Sequence, residues 1–256
     1  MSFDFFLKNV ERYQSAYELL EDPESRDSFE AAINDRIVGN SNRISKFKSN
    51  SKYDYDFDLL SLNDHEVFID CGAYDGDTIS NFCEVTNNNF EMIYAFEADG
   101  ENADKIESKN FVNVKVIRKV VGDKNGKVRF YNDGSMFSNV VVSNIWGEDT
   151  RRDLYEDTEA FVEVESCRIN DELGEQRITV MKMDIEGSEL SALEGSRHLI
   201  EKYYPKLAIC VYHKPEDMFT LIEYIHKCEK NQAIYKYYLR HHSDDLSETV
   251  LYAIKR

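Results

Sequence analysis

Proline is scarce in this 256-residue chain, with three in all, and glycine stops at 11. That composition excludes collagen-like, proline-rich and low-complexity architectures. No apolar run approaches the ~20 residues that span a bilayer, and the opening Met-Ser-Phe-Asp-Phe-Phe-Leu lacks the basic flank and long apolar stretch of a secretory leader. A cytoplasmic protein with no membrane span is the expectation. Positive charge is in deficit, 31 Lys and Arg against 49 Asp and Glu, for a net −18. An acidic field repels phosphates at long range, so no nucleic-acid partner is expected, although a local basic pocket stays compatible. The five cysteines, Cys71, Cys83, Cys167, Cys210 and Cys228, are odd in number, scattered and without a CxxC pair. Reduced thiols fit that pattern, and a cysteine zinc site does not. Also missing is the G-x-G-x-x-G turn of a dinucleotide site.

In its place stands Val67-Phe-Ile-Asp-Cys-Gly-Ala-Tyr-Asp-Gly-Asp-Thr78, a buried-strand pattern breaking into an acidic, glycine-bearing turn and then a helix. Asp70, Asp75 and Asp77 would repel a pyrophosphate, so the ligand should carry positive charge and no phosphate. S-adenosylmethionine (SAM), with a sulfonium and an α-ammonium, meets both conditions. About twenty residues after Gly76, Met92-Ile-Tyr-Ala-Phe-Glu97 ends a second apolar strand in an acid, the spacing of one βαβ unit. The two oxygens of Glu97 match a vicinal ribose diol, and the bland alternative is a solvated strand-end carboxylate.

With 42% hydrophobic residues the chain can bury one substantial core with a small appendage. Helical spacing runs through Phe5, Val10, Tyr13, Tyr17 and Leu20, and again through Phe29, Ile33 and Ile37. Between them Asp22 reads as an N-cap and Pro23 as first-turn proline. Ser41 to Asp58 is a polar, tyrosine-rich connector whose aromatics dock on a core or a substrate. From Val67 onward strands at 67–70, 92–97, 114–121, 178–184, 207–212, 234–240 and 249–254 alternate with helices, which predicts a parallel sheet covered on both faces. The last two, separated by His241 to Ser247, should form an antiparallel hairpin. Between the third and fourth lies an insertion, with Lys127–Tyr131, Phe137–Ile145 and Phe161–Ser166 as β-ribbon or loop over the ligand edge.

A third element, Thr179-Val-Met-Lys-Met-Asp-Ile-Glu-Gly-Ser-Glu-Leu190, brings Asp184 and Glu186 to a strand end. Ligands of open α/β sheets bind outside the carboxyl ends of the strands, so these acids should face the crevice of Gly72 and Glu97. Lys206-Leu-Ala-Ile-Cys-Val-Tyr-His213 delivers His213 to the same edge, where a structural and a catalytic histidine are both compatible with the pattern.

Together VFIDCGAYDGDT, YAFEAD, KMDIEGSELSALEGS, PKLAICVYHKPEDM, YYLRHHS and ETVLYAI resemble the FkbM-type methyltransferases, SAM-dependent O-methyltransferases, over residues 67–254. The leader YELLEDPESR resembles that of a bacterial subgroup, and Phe96-Glu-Ala-Asp99 departs from the FEP of many members. The resemblance implies an α/β fold, a doubly wound Rossmann-like class I methyltransferase sheet with a C-terminal antiparallel hairpin. It also implies a helical N-terminal extension over 1–60 and a methyltransferase domain over 61–256. Carried over, it places Asp70, Gly72, Ala73, Asp77, Thr78, Glu97, Ala98 and Asp184 around the cofactor, with Tyr74 in the same turn. Val120, Val121 and Gly122 are the expected neighbours of the adenine. The implied reaction is methyl transfer to a hydroxyl of a sugar or glycan precursor for cell-surface polysaccharide, with S-adenosylhomocysteine (SAH) as product. A methyltransferase on a non-sugar small molecule, a nucleotide-dependent oxidoreductase and a non-catalytic SAM-binding protein are the competing expectations.

For a hydroxyl acceptor a proton must be removed. His213 is the expected general base, oriented by Asp184 or Glu186. Alternatively Asp184, Glu186 and His213 hold a divalent metal that binds the hydroxyl. Arg240, His241 and His242 are placed on the hairpin loop as contacts to an anionic acceptor, or as a solvated loop. The helical leader could serve a homodimer or a lid.

Overall fold

The computed structural model describes residues 1–131, 139–140, 161–230 and 232–256. The chain opens with helices α1 (Phe3–Lys8), α2 (Val10–Leu19) and α3 (Pro23–Val38), a 3-10 turn at Ile44–Phe47, and the single turn α4 (Phe57–Leu60). Asp22 caps α3 by accepting the Ser25 N–H, and Pro23 sits in its first turn, as expected.

A sheet follows, built from β1 (Val67–Cys71), β2 (Met92–Phe96) and β3 (Val114–Ile117), with α5 (Asp77–Val85) and α6 (Gly100–Ser108) as crossovers. The segment read as one strand over 114–121 is two. After β3 the chain leaves the main sheet, and β4 (Val120–Val121) joins a smaller one with β5 (Gly126–Tyr131), β6 (Asn139–Val140) and β7 (Phe161–Cys167). The insertion is therefore a ribbon where β5 pairs antiparallel with β7. Most of the expected Phe137–Ile145 piece lies outside the described residues. After α7 (Ile169–Leu173) the main sheet resumes with β8 (Val180–Met183), α8 (Glu189–Tyr203), β9 (Lys206–Cys210), α9 (Asp217–Cys228), β10 (Tyr235–His241) and β11 (Thr249–Lys255).

The seven-stranded order is β10-β11-β9-β8-β1-β2-β3. β11 runs antiparallel to both β10 and β9, and the pairings from β9 to β3 are parallel. The hairpin expectation holds for a packing reason: Leu239, Leu251 and Ala253 are fully buried, so both strands belong to the sheet interior. The leader shares that core. Tyr13 packs edge-on against Phe219 of α9 at 4.8 Å and donates its hydroxyl to Pro215 O. The Glu21 N–H extends the sheet by donating to Tyr237 O.

One contact fixes how α8 meets the ribbon. Gly195 lies against the Gly122 carbonyl, where an added Cβ would stand 1.9 Å from the oxygen. No side chain fits there without moving backbone. Gly195→Ala is expected to destabilise the fold by about 1–3 kcal/mol, read as a lower midpoint in urea; an unchanged midpoint would mean that helix and ribbon separate freely.

Candidate active site

At the carboxyl ends of β1, β2 and β8 the strands part around a cleft of about 490 Å³, within the usual range for a small-molecule site. Gly72 starts it. Its backbone is left-handed (φ +76°), and a Cβ there would lie 2.0 Å from Asp184 O, so only glycine lets the β1 turn press against the end of β8. Gly72, Tyr74, Asp77 and Thr78 line the cleft from this turn, Glu97 and Ala98 from the end of β2, and Val120 and Val121 from the ribbon.

Glu97 is held for an acceptor role. Its Oε2 accepts the Tyr74 N–H and its Oε1 the Asp99 N–H, both at 2.8 Å, so the carboxylate is fixed while each oxygen keeps a lone pair. Burial drives its pKa up, the two N–H donors oppose that, and it settles at about 7.

Two residues expected at the cofactor do not line the cleft. Asp70 is fully buried beneath the turn and pairs with Lys182 at 3.1 Å. The register of β1 on β8 explains this, since Asp70 lies directly opposite Lys182. Burial pushes the Asp70 carboxyl up to about 6, leaving it ionised at neutral pH beside the ammonium. Lys182 also donates to Gly72 O at 2.7 Å, so the pair braces the turn. Ala73 is likewise sealed in the core.

Asp184 and Glu186 border the cleft from the turn after β8, with Ile185 and Ser188. The Tyr212 hydroxyl bridges Asp184 Oδ1 at 3.1 Å and Glu248 Oε1 at 3.3 Å. Behind them His213, its side chain 7% exposed, points Nε2 at Asp184 Oδ1 (3.4 Å) and Glu186 Oε2 (3.7 Å). Its Nδ1 lies 3.0 Å from Glu189 Oε1, a fully buried carboxylate that also accepts the Ile185 N–H. Burial alone would lower the His213 pKa; Glu189, Glu186 and Asp184 outweigh it and carry it to about 11. The ring is thus an imidazolium at neutral pH and does not reach the cleft surface. With no cation between the carboxylates, a ring so placed differs from the general base expected from the sequence, because it holds both protons and is not poised to accept another. The expected trio does come together: one ligating atom each from Asp184, Glu186 and His213 lies within 4.8 Å of the others.

The basic hairpin residues are also placed elsewhere than expected. Arg240 and His241 belong to β10 and are buried, Arg240 pairing with Asp22 at 2.7 Å and His241 Nδ1 meeting Thr249 Oγ1 at 2.9 Å. His242 Nε2 lies 3.1 Å from the Tyr252 hydroxyl. Asp245, Ser247 and Glu248 of the loop border the cleft instead. Burial and the negative charges of Asp184 and Asp54 lift Glu248 to about 7. From the connector Asp54 and Tyr55 reach the cleft, whereas Phe57 joins the packing around Phe82. Among the described residues the lining holds seven carboxylates and two lysines, Lys119 and Lys182, so its field favours a cationic ligand.

The model of the methyltransferase FkbM domain matches residues 70–239, two thirds of the chain. The chain belongs to the FkbM methyltransferase family. Its strand order, with β11 alone reversed, gives this FkbM-family chain the class I methyltransferase fold. It is similar to the methyltransferase FkbM of Methylobacillus flagellatus KT, with a TM-score of 0.78 at 25% identity over 98% of this chain and 60% of that one. This chain therefore spans about three fifths of that relative's length. An rRNA methylase from Streptococcus thermophilus gives a TM-score of 0.46 at 13% identity, over 78% of this chain and 92% of that one. A fibrillarin from Aeropyrum pernix, solved with natively bound S-adenosyl-L-methionine, gives 0.44 at 10%, over 77% and 74%. No curated protein matches the chain. No helix among the described residues is long and apolar enough to cross a membrane.

Proposed function

We propose that this FkbM methyltransferase transfers a methyl group from SAM to a hydroxyl of a sugar or glycan precursor. The observation that carries the cofactor assignment is Glu97, a clamped strand-end carboxylate facing an acidic cleft that suits a ribose diol beside a positive charge. Glu97 would hold the ribose, Asp77 and Tyr74 would flank the amino-acid end, and Val120 and Val121 would cover the adenine. SAM supplies a methyl group already activated by its sulfonium. The chain must then orient the hydroxyl and take its proton. Glu186 is suited to accept it, because it borders the cleft and His213 packs behind it. Support for a polyhydroxyl acceptor comes from Asp54, Asp245, Ser247 and Glu248, whose oxygens can accept from several hydroxyls at the cleft mouth.

Two results check this reading. Incubation of sugars and activated sugars with methyl-labelled SAM should give a labelled methyl ether detected by mass spectrometry; label carried only on nitrogen or carbon acceptors would contradict it. Glu97→Ala should weaken SAH binding by about 1.5–3 kcal/mol with the fold intact. Because the ionised form of Glu97 is the better acceptor and its pKa is about 7, SAH affinity should rise with pH through neutrality. In Glu97→Gln that rise should vanish in calorimetry; its persistence would assign the titration to another group.

A further inference from the structure

We infer that Asp184, Glu186 and His213 form a binding site for one divalent transition-metal ion, with Glu189 as the outer partner that sets the histidine ring. The inference deepens the methyl-transfer reading and rests on it for the ion's use, but not for its binding.

The residues converge from two strand ends. Asp184 and Glu186 follow β8, and His213 follows β9. Their facing atoms stand at ion-pair distance, and the Nε2 contacts are longer than a well-made hydrogen bond. His213 Nε2 stands 3.4 and 3.7 Å from the two carboxylate oxygens, and that nitrogen, on a ring 7% exposed, has no hydrogen-bond partner. A metal bond of ~2.1–2.4 Å places adjacent ligands of an octahedral ion ~3.0–3.4 Å apart, close to these spacings and longer than a charge-assisted hydrogen bond. A buried nitrogen aimed between two carboxylates is thus placed as a ligand would be, and an ion binding there displaces the Nε2 proton that the carboxylates hold in its absence.

Glu189 supplies the second observation. Its Oε1 lies 3.0 Å from His213 Nδ1 and is anchored by the Ile185 and Gly187 N–H groups, while the carboxylate is fully buried. A carboxylate behind Nδ1 fixes the ring with Nε2 forward, the outer arrangement found around metal-bound histidines. One imidazole with two carboxylates suits Mn²⁺ or Fe²⁺ better than the all-oxygen preference of Ca²⁺. Asp184 and Glu186 also line the cleft, so the ion's remaining positions would open toward the acceptor, where it would bind and acidify the hydroxyl whose proton the second oxygen of Glu186 takes.

The test uses the full chain, stripped with chelator and titrated with MnCl₂ alone, with free Mn²⁺ read by electron paramagnetic resonance. The expected result is one ion per chain, affinity lowered at least about tenfold in Glu186→Gln, and pulsed-resonance nitrogen modulation from a single imidazole. His213→Ala should abolish the modulation; should that variant not fold, the wild-type modulation and Glu186→Gln carry the test. Absence of a stoichiometric site, binding without nitrogen modulation, or equal affinity in Glu186→Gln would overturn the proposal. SAH titration of the same samples separates the two readings. Mn²⁺ failure with SAH binding intact removes only the metal site, and SAH failure with Mn²⁺ uptake intact removes only the cofactor reading.

Discussion

Glu186→Gln is expected to lower the rate of methyl transfer by about 10²–10⁴-fold, the usual contribution of a positioned proton acceptor, with SAH affinity and fold unchanged. The amide keeps the shape of the side chain and loses the basic oxygen. Glu186 is the residue to test because it borders the cleft, whereas His213 lies behind it with both ring nitrogens facing carboxylates and a pKa of about 11. Single-turnover transfer from labelled SAM reads the effect on chemistry, and calorimetry with SAH reads binding separately. An unchanged rate would assign proton removal elsewhere, and Glu248, at about 7 and hydrogen-bonded to Tyr212, is the next carboxylate on the cleft.

Lys182→Met should cost about 3–5 kcal/mol at high pH, because it leaves the Asp70 carboxyl fully buried without its cation. The pH dependence has a definite sign. Without the ammonium, the folded-state pKa of Asp70 rises further above its unfolded value. The folded protein then holds a proton that the unfolded chain releases, so stability falls as pH rises above about 4. Urea unfolding at about pH 5 and about pH 8 should show the variant's deficit widening at the higher pH. Asp70→Asn combined with Lys182→Met should recover part of the loss, since a neutral amide replaces the stranded charge. A deficit below about 1 kcal/mol at both pH values would mean that another group compensates Asp70.

Both residues also show where sequence reading stops. The strand-turn-helix pattern at Val67–Thr78, the acid ending β2 and the paired acids after β8 are local features, and each comes to the same cleft because parallel strands share one carboxyl edge. Residue type alone does not say whether a strand-end acid faces ligand or protein. Asp70 and Glu97 look alike in sequence; the register that sets Lys182 opposite Asp70 makes one a brace, and the cleft makes the other an acceptor. Lys182 and Glu189 stood within the KMDIEGSE segment, but as a lysine in an apolar strand and a glutamate at a helix start they carried no signal of burial. Arg240 and His241 differ from their expected places for a related reason. Basic residues beside a polar loop read as solvent-facing, and their true partners, Asp22 and Thr249, come from the leader and the neighbouring strand. The third strand is shorter than the sequence pattern, because β-propensity runs through 114–121 without marking where the chain leaves one sheet for another.

The most direct measurement is calorimetric titration of the full chain and of Glu97→Ala with SAH, beside NAD as a phosphate-bearing control. An acidic cleft built around Glu97 should give one SAH site per chain, weakened in the variant by about 1.5–3 kcal/mol, and no heat with NAD. Binding of NAD with no response to SAH would contradict it.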